Sequence, residues 1–209
     1  LAKLNGALDG QKVIAKLTQW RTDSKSPNGE IVQVLGFAGD NDVEIHSILH
    51  EYDLPHEFEP DVVAEAEAIG GEITETEIAS RRDMRNVVTF TIDPTDAKDF
   101  DDALSVEWVN GEIQVGIHIA DVSHYLRPDT DLDKEAYRRG TSVYLVDRVV
   151  PMLPERLSNG LCSLRPNEEK LCFSVVLTMD KNGNITDEWY GKTVINSDHR
   201  YDYEEAQEV

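Results

Sequence analysis

The sequence predicts an α+β chain in which antiparallel strands dominate. Two Asn-Gly pairs, Asn110-Gly111 and Asn182-Gly183, are typical of tight turns between antiparallel neighbours. They separate four β-prone segments, which are 105–109, 112–120, 171–179 and 185–194. The helical signals are shorter, and the clearest covers 131–139, which begins at an aspartate and ends before Gly140. Strands that follow one another through short turns favour a mainly antiparallel sheet with a few helices beside it.

The first 58 residues are predicted to form part of a small β-barrel. Two β-prone runs, 11–20 and 29–36, flank the polar turn 23–28. Trp20 and Phe37 are large enough to stack on nucleic-acid bases, but packing in the core of this region is the favoured interpretation.

Residues 59–85 are predicted to form a helical linker. A first helix, 60–71, begins at a proline and is stopped by two glycines. Thr74 and Glu77 have the spacing of a capping box ahead of a second helix, 78–84. No side chain in this segment indicates chemistry.

Five aspartates lie between Asp93 and Asp102, and only one lysine, Lys98, lies among them. Carboxylates this close together cannot all stay ionised unless a cation or several donors neutralise them. Ligands that are all oxygen favour magnesium, manganese or calcium over zinc. Apolar segments flank the run closely, and Phe100 and Ala103 are placed to pack beneath it, which indicates a loop that can direct its side chains.

The spacing of these acids excludes a calcium loop of the EF-hand type. Counted from Asp93, the sixth residue is Lys98 instead of glycine and the twelfth is Leu104 instead of glutamate. A solvated acidic surface loop remains an alternative. Magnesium held by a few carboxylates acts mostly on phosphates, so the residues alone predict metal-dependent phosphoryl transfer.

Residues 91–103, TIDPTDAKDFDDA, closely resemble the metal-binding signature of the ribonuclease II and ribonuclease R (RNB) family of 3′-to-5′ exoribonucleases. Three further blocks follow in the order of that family: GIHIADVSHY at 116–125, RGTSVYL at 139–145 and PMLPERLSNGLCSL at 151–164. The resemblance covers about residues 80–205 and is closer to ribonuclease R than to ribonuclease II. Upstream, residues 1–58 look like the tail of the family's second cold-shock domain, which has an OB-type fold.

The resemblance implies a magnesium site, with manganese as an alternative ion. Its implied ligands are Asp93, Asp99, Asp101 and Asp102, whereas Asp96 is left out. Asp101 matches the position regarded as most directly catalytic, and Asp99 shares this role. Tyr144 matches a tyrosine that stacks near the 3′ end of RNA, although ordinary packing is the alternative for a lone tyrosine. The implied reaction is processive hydrolysis of single-stranded RNA to nucleoside 5′-monophosphates by an activated water.

The implied architecture has three parts: a partial cold-shock barrel at 1–58, the linker at 59–85 and the N-terminal part of an RNB catalytic domain at 86–209. The chain does not begin with methionine and ends in an acidic helical segment, 201–209. We therefore expect a truncated part of a larger, monomeric enzyme, inactive by itself. The competing hypothesis is a catalytically silent OB-fold module, RNA-binding or structural, with an acidic surface loop.

Cysteine usage and hydropathy predict a cytoplasmic protein without a membrane anchor. Cys162 and Cys172 match no paired metal spacing, and no signal peptide is apparent. No apolar run approaches the ~20 residues that a membrane span requires. His118, Asp121 and His124 lie close in sequence, but structural packing is favoured over a zinc site.

The net charge argues against tight RNA binding by this chain alone. Aspartate and glutamate total 41 against 20 for lysine and arginine, a formal net charge of −21. Affinity for RNA depends on neutralising phosphates, so a basic channel must lie elsewhere in the protein or arginines must converge locally. Seven arginines could converge in this way, but pairing with nearby acids on helix surfaces is the favoured interpretation for most of them. They are Arg81, Arg82, Arg85, Arg138, Arg139, Arg148 and Arg156.

Overall fold

The computed structural model describes residues 4–19, 26–55 and 57–209, and the chain divides into two compact units, 1–58 and 59–209. In the first unit, strands β1 (Gln11–Gln19) and β2 (Asn28–Phe37) pair antiparallel and are followed by helix α1 (Asn41–Glu51). Three register shifts bend the strand pair. Helix α1 was not predicted, although Asp40 caps its first turn and its Val43 and Leu49 are buried.

Two predictions for the first unit have different outcomes. Phe37 is 55% exposed, so the predicted core packing is wrong for this side chain. At the end of β2 the chain turns away into α1, and the ring stays at the surface. Trp20 and the first half of the predicted polar turn, residues 23–25, lie outside the described residues.

The second unit is built around one sheet. Its strands are β3 (Arg82–Asp83), β4 (Thr89–Asp93), β5 (Asp102–Val109), β6 (Glu112–Ala120), β9 (Glu169–Met179), β10 (Ile185–Asn196) and β11 (His199–Asp202), while β7 (Val143–Tyr144) and β8 (Val149–Val150) form a separate hairpin. The strand order in the sheet is β11-β4-β5-β6-β9-β10-β3. Pairing from β4 to β10 is antiparallel, and the two outer strands, β11 and β3, pair in parallel. The predicted α+β class with a mainly antiparallel sheet is therefore confirmed.

Short helices surround this sheet. They are α2 (Pro60–Ala68), α3 (Glu75–Ala79), α4 (Val122–Tyr125), α5 (Asp131–Arg139) and α6 (Tyr203–Glu208), together with a π-helix at Arg156–Leu161. The predicted helix at 131–139 is confirmed: the Thr130 side chain caps its start, and Gly140 ends it with a φ of 73°. In the described part of the chain, no helix is both long and apolar enough to cross a bilayer.

The two Asn-Gly pairs form turns of different lengths. Asn110 and Gly111, with φ angles of 53° and 88°, make the predicted two-residue turn between β5 and β6. Asn182 and Gly183 lie within a longer loop, 180–184, between β9 and β10. There the Asp180 carboxylate accepts hydrogen bonds from the backbone N–H groups of Asn182 and Asn184.

The segment predicted as a linker belongs to the second unit. Helix α3 begins as expected, with Thr74 Oγ1 accepting from the Glu77 N–H at 3.2 Å. The predicted continuation to residue 84 is wrong, because α3 ends at Ala79 and β3 pairs with β10. The Glu77 carboxylate accepts from Arg81 Nε instead of completing a capping box, and the Met84 N–H donates to Val194 O.

One face of the sheet buries small polar side chains around His118. The imidazole is 0% exposed, and its two nitrogens lie 2.7 Å from Ser174 Oγ and 2.9 Å from Ser105 Oγ. Burial, followed by the charge of Arg82, lowers the pKa of His118 to about 4, so the ring stays neutral. Both of its nitrogens are used within the sheet, so the predicted structural packing is confirmed for His118.

Candidate metal centre and its pocket

The four predicted metal ligands lie at one end of two paired strands. Asp93 is the last residue of β4 and Asp102 is the first residue of β5, while Asp99 and Asp101 lie in the loop between them. We call residues 93–102 the aspartate loop. Because β4 and β5 run antiparallel, the end of β4 and the start of β5 lie at the same end of the sheet, and the aspartate loop joins them there. All four carboxylates line one cavity of about 820 Å³.

The cavity carries a large excess of negative charge. Its lining acids are Asp93, Asp96, Asp99, Asp101, Asp102, Asp147 and Glu155, against the two bases Lys98 and Arg148. Arg148 is already engaged, since its guanidinium binds the Asp147 carboxylate at 2.8 Å. Lys98 alone cannot neutralise the remaining carboxylates, so the cavity is suited to a cation.

The environments of Asp93 and Asp101 indicate the same need for positive charge. Burial raises the pKa of Asp93, and the Asp102 and Asp99 carboxylates raise it further. Burial likewise raises the pKa of Asp101, followed by the charges of Asp99, Asp102 and Asp93. Asp93 Oδ2 is buried without a hydrogen-bond partner among the described residues. A buried, unpartnered carboxylate oxygen in a set made only of oxygen donors fits a hard divalent cation.

The four carboxylates line the same cavity, but they do not surround one position at which all of them could bind an ion. Within the described residues, no three acidic, histidine or cysteine side chains are close enough together to hold one ion. The assignment of Asp93, Asp99, Asp101 and Asp102 as ligands therefore stays a prediction.

Tyr144 reaches the same cavity from the β7–β8 hairpin. Its hydroxyl donates to Asp99 Oδ2 at 2.7 Å, while the side chain is 64% exposed. This hydrogen bond, with burial as a second cause, raises the pKa of Tyr144 to about 12, so the hydroxyl stays protonated at neutral pH. The structure thus brings Tyr144 next to a predicted ligand and leaves its ring open to solvent instead of packing it in the core.

Two side chains distant in sequence anchor the aspartate loop. Ser163 Oγ donates to Lys98 O at 2.9 Å and accepts from the Phe100 N–H at 3.1 Å. Arg200 of β11 donates to Pro94 O at 2.8 Å. Phe100 is 5% exposed beneath the loop, as predicted. Neither anchor belongs to a pattern that by itself indicates chemistry. Only the resemblance of block 151–164, which contains Ser163, could have pointed to one of them.

Five of the seven arginines pair with nearby acids, but only Arg138 does so from an exposed position on a helix, so the predicted pairing on helix surfaces is correct for that residue alone. Ion pairs are formed by Arg81, Arg85, Arg138, Arg139 and Arg148. Arg82 lies over the Trp189 ring, and Arg156 donates to Ile69 O.

Asp121 binds Arg81, and His124 lies 3.6 Å from Glu77, so neither shares a ligand set with His118. Cys162 and Cys172 are free and buried.

Comparison with known proteins assigns the chain and its fold to a family. The model of the RNB domain matches residues 81–209, and that of a cold shock domain matches residues 1–59. The chain belongs to the RNB domain family. The chain is 44% identical over 208 residues to ribonuclease R of Thermotoga maritima, covering 98% of this chain and 29% of that protein. It therefore spans less than a third of that relative's length.

Solved structures support the same assignment. Ribonuclease R of Mycoplasma genitalium, in complex with double-stranded RNA, matches with a TM-score of 0.90 and 29% identity, over 98% of this chain and 36% of that one. Yeast Ssd1, described as a pseudonuclease, matches with a TM-score of 0.75 and 25% identity, over 95% of this chain and 25% of that one. The fold is thus found both in ribonuclease R and in a protein described as a pseudonuclease.

Proposed function

We propose that this chain supplies the metal-binding part of the active site of a magnesium-dependent 3′-to-5′ exoribonuclease that acts on single-stranded RNA. The observation that carries the proposal is the cavity in which four predicted ligands meet an excess of negative charge. Membership of the RNB domain family and similarity to ribonuclease R favour RNA as the substrate.

The residues of the cavity have separable roles in this proposal. Asp93, Asp99, Asp101 and Asp102 would hold the ion, with Asp101 closest to the reacting phosphate. A bound magnesium ion would supply polarisation of a phosphate oxygen and a lowered pKa for the water that attacks the phosphorus, from which the 3′ oxygen of the preceding nucleotide leaves. Tyr144 offers an open aromatic face that any base can stack on without sequence preference. Its hydroxyl also orients Asp99.

The experiment that tests the proposal uses 5′-labelled single-stranded RNA, with and without magnesium, resolved at single-nucleotide steps. The 209-residue chain is compared with a longer protein that contains this chain and has the full length of the ribonuclease relatives. A magnesium-dependent ladder that shortens from the 3′ end is expected from the longer protein. A circular RNA of the same sequence has no 3′ end and should stay intact. If neither protein shortens the linear RNA with magnesium or manganese, the nuclease proposal is wrong.

A catalytically silent module is the second candidate function, since Ssd1 shares the fold. Metal binding separates the two. The nuclease proposal predicts that magnesium raises the melting temperature of this chain, because a ligand at 100 times its Kd adds about 2.7 kcal/mol of stability. Asp102→Asn should remove this stabilisation. Asp96→Asn, which changes an exposed acid of the same cavity, should retain it. If magnesium leaves the melting temperature unchanged in the wild-type chain, in Asp102→Asn and in Asp96→Asn, the silent module is favoured.

The aromatic ring and the hydroxyl of Tyr144 are expected to contribute differently to RNA affinity. Tyr144→Ala removes the stacking surface and should weaken binding by roughly 5- to 150-fold, the equivalent of ~1–3 kcal/mol per stacked base. Tyr144→Phe keeps the ring and loses only the bond to Asp99, so its affinity should stay close to wild type. Fluorescence anisotropy with a labelled RNA in EDTA measures both variants without cleavage. Equal affinities for the alanine variant and wild type would remove Tyr144 from the RNA site.

A further inference from the structure

We infer that Ser163 is a positioning residue for Asp99 and Asp101, because it anchors the backbone of the aspartate loop on both sides of Asp99. This inference rests on the proposed metal-dependent function. Ser163 touches neither carboxylate in its described hydrogen bonds. Its contacts are with the backbone of the loop that carries them.

The contacts of Ser163 lie on both sides of Asp99. The hydroxyl donates to the carbonyl of Lys98, the preceding residue, and accepts from the N–H of Phe100, the following one. The N–H of Leu164 then donates to Phe100 O at 2.8 Å, immediately before Asp101. Three backbone groups around the two aspartates are thus fixed by one short segment, which limits the backbone rotation that would redirect either carboxylate.

Ser163 is itself held rigidly. It is 0% exposed and follows the π-helix, whose Leu157 and Leu161 are buried. Lys170 Nζ donates to Gly160 O at 2.7 Å at the end of that helix. The hydroxyl uses its donor and an acceptor site on the loop, and removing it would take a partner from the buried Phe100 N–H and from the part-buried Lys98 C=O.

The charge of the cavity explains why the loop needs such an anchor. Like charges on Asp93, Asp99, Asp101 and Asp102 favour conformations in which the carboxylates separate. Arg200 anchors the loop near Pro94, and Ser163 anchors the part that carries Asp99 and Asp101. Groups that orient metal ligands typically change metal affinity by about 10- to 100-fold when they are removed.

The test is the affinity of the 209-residue chain for Mn²⁺, measured by calorimetry. Ser163→Ala should weaken it by about 10-fold or more. Ser174→Ala is the matched control: Ser174 is 1% exposed and its hydroxyl has two side-chain partners, His118 and Thr193, outside the aspartate loop. The control should lower the melting temperature and leave the Mn²⁺ affinity unchanged. Ser163→Cys fills nearly the same volume with a weak hydrogen-bonding group and should show an intermediate affinity.

A second readout does not depend on metal. Hydrogen exchange of the Phe100 amide should be faster in Ser163→Cys and Ser163→Ala than in wild type or Ser174→Ala. Wild-type affinity in both Ser163 variants, or an equal loss in Ser174→Ala, would overturn the positioning role. If the wild-type chain binds no Mn²⁺, the metal-dependent function fails for this chain. Unchanged Phe100 exchange would then also reject the anchor.

Discussion

Asp101→Asn is expected to abolish RNA hydrolysis while RNA binding persists. Asp101 lies in the cavity, where burial and then the charges of Asp99, Asp102 and Asp93 raise its pKa, so a bound cation would favour its ionised form. Asparagine keeps the shape of the side chain and removes that charge. Losing a metal contact worth several kcal/mol corresponds to a rate loss of roughly 1,000-fold or more.

The measurement is single-turnover cleavage of 5′-labelled RNA. It uses the 209-residue chain if that chain hydrolyses RNA, and otherwise the longer protein that has the full length of the ribonuclease relatives. Anisotropy with the same RNA reports binding. Asp96→Asn is the matched control, because Asp96 lines the same cavity but is not a predicted ligand. Hydrolysis that survives in Asp101→Asn would exclude this aspartate from the reaction. An equal loss in the control would show that total charge, and not one ligand, controls the rate.

Arg81→Ala is expected to cause the largest loss of folding stability. The guanidinium is fully buried and lies 2.7 Å from both Glu77 Oε1 and Asp121 Oδ2. It also donates to the carbonyls of Cys172 and Thr193, in β9 and β10. Removing one partner of a buried ion pair leaves an uncompensated charge and typically costs about 3–5 kcal/mol. For a protein of this size that corresponds to a fall of roughly 10 °C in melting temperature.

The pH dependence of this contribution follows from Asp121. Burial opposes ionisation of its carboxyl, but the Ser123 hydroxyl and Arg81 outweigh burial and lower its pKa below the usual value. A lowered pKa in the folded state stabilises the protein above the unfolded pKa. The contribution is therefore present at neutral pH and is lost as the pH falls through the lowered value. Arg81→Ala should flatten this acid dependence.

Urea unfolding of the second unit measures the loss of unfolding free energy in Arg81→Ala. Arg85→Ala is the control, because Arg85 pairs with Asp83 and Glu169 at the surface, where ion pairs contribute little. A loss in Arg81→Ala no larger than that of the control would show that water or Lys192 compensates Asp121. Retained RNA affinity in Arg81→Ala would further separate its structural role from phosphate binding.

Local signals predicted the second unit well because they act over a few residues. The Asn110-Gly111 turn requires positive φ angles, which these residues adopt readily, and the structure has them there. Helix α5 was predicted from its first aspartate and its terminal glycine. The errors came where distant residues compete with local preference. Arg81 takes the carboxylate of Glu77 that the capping box would use, and β10 recruits the following residues into the sheet.

The sequence by itself determined the α+β class, the family resemblance and the acidic cluster, because turn chemistry and a motif of adjacent residues are properties of short segments. Only the tertiary structure decided which groups surround that cluster. Tyr144, Ser163 and Arg200 lie 42 to 107 positions away from Asp93 or Asp102 along the chain. Arg200 reaches the aspartate loop through the parallel pairing of β11 with β4, Ser163 through the buried segment after the π-helix, and Tyr144 from the separate β7–β8 hairpin. Hydrogen bonds and Coulomb interactions depend on distance in space, and no local pattern specifies that distance.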